Sequence, residues 1–309
     1  MPTPYIPALS PTCVSCLVKK QMDRYPANAS RPQVLTYLRR LGELMAVLPD
    51  RSSGPEIMEA ITALRYDLFG DEARRMDGDM DAIKRHFNAY MMDCVAEADL
   101  PGRIRASSDP LRAALGVSMT GNYIDFGAMD SVDTAHLTAL MEQATEQVPA
   151  DSPAYAALLG DLARAKRLVF LTDNCGEIVL DRLLLDEIHE QYPTLAMTVL
   201  VRGERVLNDA TMEDVHQIGL DRVDYLTVMG NGDRLAGTGL GRISPAAAQA
   251  LDEADLIMAK GQGNYETLQG CGLNIYYAFL CKCRLFADRF GVPLYTGMLT
   301  HEPKKGATP

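Results

Sequence analysis

Residues 167–181, RLVFLTDNCGEIVLD, pass from an unbroken apolar run into two adjacent oxygen-bearing side chains, Asp173 and Asn174, and then into Glu177 and Asp181 at near-helical spacing. An apolar run without polar alternation fits a strand buried on both faces, the state of a parallel sheet covered by helices on each side. The two oxygen-bearing residues therefore stand where a strand stops and a helix starts.

Four further runs downstream repeat the pattern: AMTVLVRG (196–203), VDYLTVMG (223–230), DLIMAKGQ (255–262) and VPLYTGML (292–299). Helical segments separate them, as right-handed crossovers between parallel strands require. Residues 167–299 are thus expected to form an α/β, Rossmann-like three-layer αβα domain with a mostly parallel sheet. Upstream, stretches 31–48, 55–68 and 72–98 place apolar residues at three- and four-residue steps, for example Leu35, Leu38, Leu41, Met45 and Leu48, with breaks at PDRSSGP and FGDE. Further helices are expected at 132–147 and at 153–165, the latter with Ser152 as N-cap and Pro153 in its first turn. The predicted division is a helical N-terminal region over 1–150 and the sheet domain over 151–309, with the tail HEPKKGATP frayed.

Composition narrows the function classes. The chain has 309 residues, 47% hydrophobic and 23% charged, which is ordinary for a globular protein. Its net charge of -11, from 41 acidic and 30 basic residues, repels phosphate backbones and anionic lipid, and no basic patch offsets it. Nucleic acid and membrane are therefore not expected as partners; homo-oligomerisation is left open. No apolar run reaches the about 18 residues that span a bilayer, and the N-terminus lacks a secretory pattern, so a cytoplasmic protein is expected. The seven Cys are scattered and odd in number, and in that compartment are read as reduced thiols.

Ligand crevices of open parallel sheets lie beyond the carboxyl ends of the strands, where Asp173 and Asn174 fall. The second run ends on Arg202, with Asn208 and Asp209 in the loop that follows. The fourth ends on Lys260, with Gln262 and Asn264 interleaved with glycines that permit close backbone approach. Carboxylate and amide oxygens select hard divalent cations, and nearby Lys and Arg suit an anionic substrate such as a phosphate ester. Each element alone also fits a turn, a helix cap or a dipole partner; coincidence at three strand ends favours the site. GTGLG at 237–241 lacks dinucleotide-loop spacing. The Cys pair of CVSC (13–16) could complete a four-thiolate zinc site with CKC (281–283), but helical thiols packed on the core explain it more simply.

With CVSC, DPLRAALGVSMTGNYIDFG (109–127), TDNCGEIVLD (172–181), VRGERVLNDATMEDV (201–215) and IMAKGQGNYETL (257–268) in this order, the chain resembles the metal-dependent damage-control phosphatases, first catalogued as domain of unknown function eighty-nine, and among them the archaeal and bacterial members with an N-terminal Cys-x-x-Cys. Cys175 stands where alanine is commoner in that family. The resemblance implies a divalent metal (Mn²⁺, Co²⁺, Ni²⁺ or Mg²⁺) held by Asp173, Asn174 and Asp209, and hydrolysis of phosphomonoesters of small metabolites. It also implies that Asn122 and Asp125 reach the site from the GNYID segment and that Lys260 holds phosphate.

A mechanism built on these parts has Lys260 and Arg202 supply positive charge, while Asn122, Asn208, Gln262 and Asn264 orient substrate oxygens. An activated water attacks phosphorus, with Asp125 or Glu177 as base; attack by Asp173 itself is the alternative, less suited to a carboxylate already committed to metal. Two other classes share the fold: a cofactor-using transferase such as a Rossmann-like methyltransferase, and a non-catalytic metabolite-binding protein.

Overall fold

A computed structural model describes residues 10–123 and 143–306. The N-terminal half is helical: α1 Pro11–Gln21, α2 Arg31–Val47, α3 Gly54–Met76, α4 Met80–Glu97, α5 Leu100–Ala106 and α6 Pro110–Gly121. Capping chemistry sets these starts. Ser53 and Glu56 form a reciprocal capping box ahead of α3, and the Asp109 side chain accepts from Arg112 N at the start of α6. The break expected at FGDE is instead a kink at Gly70 (φ 55°), and α3 runs on to Met76 before Asp77 closes it. Most of the helix expected at 132–147 lies outside the described residues, whereas the helix capped by Ser152 is present as Pro153–Leu162.

Strands β1 Arg167–Leu171, β2 Ala196–Val201, β3 Leu226–Gly230, β4 Leu256–Lys260, β5 Ile275–Leu280 and β6 Gly297–Glu302 form one sheet in the order β3-β2-β1-β4-β5-β6. The first five are parallel and β6 runs antiparallel on β5. Two expectations are corrected here. IYYAFL (275–280) forms a fully buried strand that the sequence reading passed over. The run VPLYTGML, read as a strand, opens as a turn, and the strand starts only at Gly297.

Successive residues of each central strand drop alternately into two cores, which makes the molecule three-layered. Leu168, Phe170, Val199, Met258 and Tyr276 pack on one face with α6 and the helix Glu177–Gln191. Val169, Leu171, Leu200, Ile257 and Tyr277 pack on the other with Leu251, Leu268 and Phe286. A smaller cluster around Tyr37, Ile57, Ile61 and Phe69 joins α2 to α3. The chain leaves β1 toward β2 and β3 but returns to add β4 on the opposite side, so strand order reverses between β1 and β4. A crevice forms at such a reversal because the connections on either side diverge. Among the described residues no helix is long and apolar enough to cross a membrane.

Candidate functional site

The carboxyl ends of β1, β2 and β4 bring Asp173, Asn174, Arg202, Asp209 and Lys260 together with Asn122, the C-cap of α6. β1 ends at Leu171, and the chain turns through Thr172–Gly176 before the helix Glu177–Gln191 begins. Two contacts hold that turn: Cys175 N donates to Asn208 O (2.8 Å), and Gly176 N donates to Oδ1 of Asn88 on α4 (2.6 Å). The loop carrying Asp209 is pinned to it by an Asn174–Asp209 bridge and by Ala210 N donating to Asp173 O (2.7 Å). Leu207, two residues before Asp209, adopts φ 46°, a left-handed conformation that costs a branched residue energy and persists only where surroundings enforce it. The buried pair Lys84–Asp214 (2.7 Å) and the bond from Lys84 to Thr211 (3.1 Å) fasten the far side of this loop to α4.

Around this frame the side chains form one network. Asn122 Nδ2 donates to Asp173 Oδ2 (2.8 Å) and to Glu177 Oε2 (2.9 Å), while its Oδ1 accepts from Leu280 N (3.0 Å). Asn174 Nδ2 donates to the same two carboxylates at 2.8 and 3.1 Å. The acids fix the orientation of that amide, so the carbonyl oxygen of Asn174 is turned away from them. Arg202 bridges the other acids: Nε donates to Asp209 Oδ2 (2.6 Å), Nη1 to Asn264 Oδ1 (3.2 Å), and Nη2 lies 3.6 Å from Asp173 Oδ1 without a hydrogen bond. Gly261 (φ +80°) passes so close to the Asp173 carboxylate that any Cβ there would overlap it, so the glycine is what admits the acid.

Lys260 is wholly buried. Its Nζ meets Ser118 O (3.0 Å), Ser118 Oγ (2.8 Å), Glu177 Oε1 (2.7 Å) and Asp181 Oδ1 (2.6 Å). Burial works against its charge, but Asp181 and Glu177 outweigh that effect and raise its pKa. Burial pushes Asp181 up to about 7, against the pull of Lys260 and with the reinforcement of Glu177.

The expected residues divide accordingly. Asp173, Asn174, Asp209, Arg202, Asn122, Glu177, Lys260 and Asn264 converge, whereas Gln262 turns to Lys282 N (2.7 Å) and Cys283 Sγ (3.6 Å) and meets none of them. Asn208 joins through its backbone carbonyl, with its side chain fully buried. Asp125 lies outside the described residues. Ser118, Asn88 and Thr238 carried no signal in the sequence, and Asp181 was noted there without a role; Thr238 Oγ1 donates to Asn264 Oδ1 (2.8 Å), and a side chain at Gly237 would strike Gly263 O and Thr267. GTGLG is therefore a packing device that seats Thr238 against Asn264. The CVSC thiols sit on α1 with Cys13 partly buried and Cys16 exposed, so the pair is not packed on the core as expected.

The donor set at residues 173, 174 and 209 comprises two carboxylates and one amide, and it fits a hard divalent cation on two grounds. The amide presents its carbonyl oxygen once its NH₂ is engaged. The buried network also sets four carboxylates (Asp173, Glu177, Asp181 and Asp209) against two cations (Arg202 and Lys260), an excess of negative charge that a divalent ion would neutralise.

Comparison with known proteins adds the following. The model of the damage-control phosphatase ARMT1-like domain matches residues 9–297. A damage-control phosphatase of Archaeoglobus fulgidus is 34% identical over 301 residues, covering 92% of this chain and 96% of that one. A damage-control phosphatase of Pyrococcus horikoshii is 31% identical over 186 residues, 58% of this chain and 61% of that one. The crystal structure of a DUF89-family protein from Pyrococcus horikoshii superposes with a TM-score of 0.71 at 22% identity, covering 96% of this chain and 99% of that one, which shows a shared fold.

Proposed function

We propose that this chain, which belongs to the damage-control phosphatase ARMT1-like family, hydrolyses phosphomonoesters of small metabolites at the Asp173–Asn174–Asp209 cluster with the help of a divalent cation. One observation carries the proposal. A buried excess of carboxylates stands beside a buried guanidinium whose Nη2 makes no hydrogen bond. Buried donors are nearly always paired, so a spare Arg N–H beside a cation-attracting cluster suits the oxygen of a phosphate.

Asp173, Asn174 and Asp209 would hold the cation. When bound, that cation withdraws electron density from phosphorus and offsets charge that builds in the transition state. Arg202 donates from Nη2 to a phosphoryl oxygen while Asp209 and Asn264 fix its plane, so the donor needs little reorganisation as the phosphoryl group transfers. Asn122 and Asn174 lock Asp173 by its Oδ2, leaving it oriented but poorly suited to attack phosphorus. Water is therefore the nucleophile. Of the two carboxylates expected as base, Glu177 is closed off, with Lys260 on one oxygen and two amides on the other. That favours Asp125, three residues beyond Asn122 in the chain. Lys260 would have to release one of its four acceptors to reach phosphate, so positive charge toward the substrate is assigned first to Arg202.

The test is hydrolysis of p-nitrophenyl phosphate by protein stripped with EDTA and then supplied separately with Mn²⁺, Co²⁺, Ni²⁺ or Mg²⁺. Turnover that depends on metal supports the assignment. Folded protein with no metal-stimulated turnover would overturn it in favour of a binding role. A panel of phosphorylated sugars and other small phosphometabolites then ranks substrates by kcat/KM.

A further inference from the structure

We propose that Asp181 is a positioning residue, the buried anchor of a relay that runs through Lys260 and Glu177 to the two amides that fix Asp173. The proposal rests on the phosphatase reading above. Asp181 lies four residues after Glu177, so both carboxylates leave the same face of one helix. Across from them, the Lys260 ammonium has three N–H donors but four acceptors within 3.0 Å. It is saturated, and it serves as the buried counter-ion of two acids. Ser118 Oγ completes the arrangement by donating to Asp181 Oδ1 (2.6 Å) while accepting from Lys260.

The consequence passes upward through Glu177. Lys260 grips its Oε1, which leaves Oε2 to accept from Asn122 Nδ2 and Asn174 Nδ2, and those same amides hold Asp173 Oδ2. Without Asp181, Lys260 would have one acid to satisfy instead of two and would shift toward Glu177, and the amides would lose their fixed target. Asp181 Oδ2 makes no hydrogen bond and is sealed from solvent. An acid that only stabilised the fold would gain by pairing both oxygens, since an orphaned buried acceptor is costly. Burial also raises its pKa, consistent with a carboxyl held where charge is difficult to maintain.

The experiment compares wild type, Asp181→Asn, Ser118→Ala and the double variant, measuring kcat and KM for p-nitrophenyl phosphate with Mn²⁺, Mn²⁺ affinity by calorimetry, and Tm. For Asp181→Asn, kcat should fall about tenfold to a hundredfold, the range seen when outer partners of a reactive centre are removed. KM should stay within about threefold, because Arg202 and its partners are untouched, whereas Mn²⁺ affinity should fall along with kcat, because the relay ends on Asp173 and Asn174, which would hold the cation. The double variant should lose no more than Asp181→Asn alone, as expected of residues acting as one unit. Folded Asp181→Asn with wild-type kcat, or with KM raised as far as kcat falls, overturns the inference while leaving the phosphatase reading standing. Should Asp181→Asn not fold, Ser118→Ala decides: a selective loss of kcat supports the relay and an unchanged kcat overturns it. Wild-type protein without metal-stimulated turnover would instead remove the phosphatase reading, and the relay with it.

Discussion

Asp209→Ala separates a metal ligand from an ordinary buried ion-pair partner. Asp209 and Arg202 pair at 2.6 Å with side chains 5% and 2% exposed. Removing one member of so buried a pair costs about 3–5 kcal/mol when nothing compensates. Two features lower that figure. Arg202 keeps Asp173 at 3.6 Å and Asn264 at 3.2 Å, and loss of one acid relieves repulsion among four carboxylates that share two cations. A net cost of about 2–3 kcal/mol is expected, a cooperative chain with a lower Tm and unchanged helical content by circular dichroism. The response to metal should differ more sharply. At a hundredfold excess over Kd, Mn²⁺ would stabilise wild type by about 2.7 kcal/mol. For a chain of this length that is about 5 °C in Tm. Asp209→Ala should show less than about a fifth of that shift, with p-nitrophenyl phosphate turnover reduced about a thousandfold or more. Thermal melts with and without MnCl₂ after EDTA treatment, run beside the turnover assay, read both quantities. A variant that keeps the full Mn²⁺-induced shift and metal-stimulated turnover would refute the ligand assignment, however much stability it had lost.

Arg202→Lys should raise KM for aryl phosphate about tenfold or more, because an ammonium gathers its three donors on one nitrogen and lacks the planar fork whose separate nitrogens reach Asp209, Asn264 and a third acceptor; steady-state kinetics on folded variant checks this. Gly261→Ala places a Cβ against the Asp173 carboxylate at φ +80° and should cost about 1–3 kcal/mol in Tm-derived stability together with most of the activity. His301 stacks on Tyr276 at 4.1 Å and bonds Asn274 Oδ1 at 2.8 Å, and burial holds its pKa below the usual value against the opposing pull of Asp161 and Glu302. A depressed pKa means that its stabilisation is present above the ordinary imidazole value of about 6.5 and is lost as pH falls through the folded value. Tm should therefore drop on acidification below about pH 6, and more shallowly in His301→Gln.

The parts of the site legible in the sequence are those whose position depends on one strand end at a time. Asp173, Asn174 and Arg202 lie within three residues of a strand end and Asp209 lies in the loop after β2, and the crevice rule for parallel sheets turns those local facts into a shared location. Strand β5 escaped because IYYAFL leads without a turn residue into CKC and a helix, so its apolar letters merge with helical spacing. The relay beneath the site was invisible for a different reason. Ser118 sits in the apolar face of α6, where a small hydroxyl carries no signal, and Lys260 reaches it across 142 positions of sequence. Lys260 itself was noticed as a cation at a strand end, but the sequence does not show how many acceptors surround its ammonium. Once Asp181, Glu177 and Ser118 are counted together, the same lysine is the counter-ion of the acids, and the contact with phosphate is accordingly proposed for the Nη2 of Arg202, which has no hydrogen-bond partner. A residue's type thus points to a strand end as a candidate site, while the partners of the two cations depend on which acids folding places beside them.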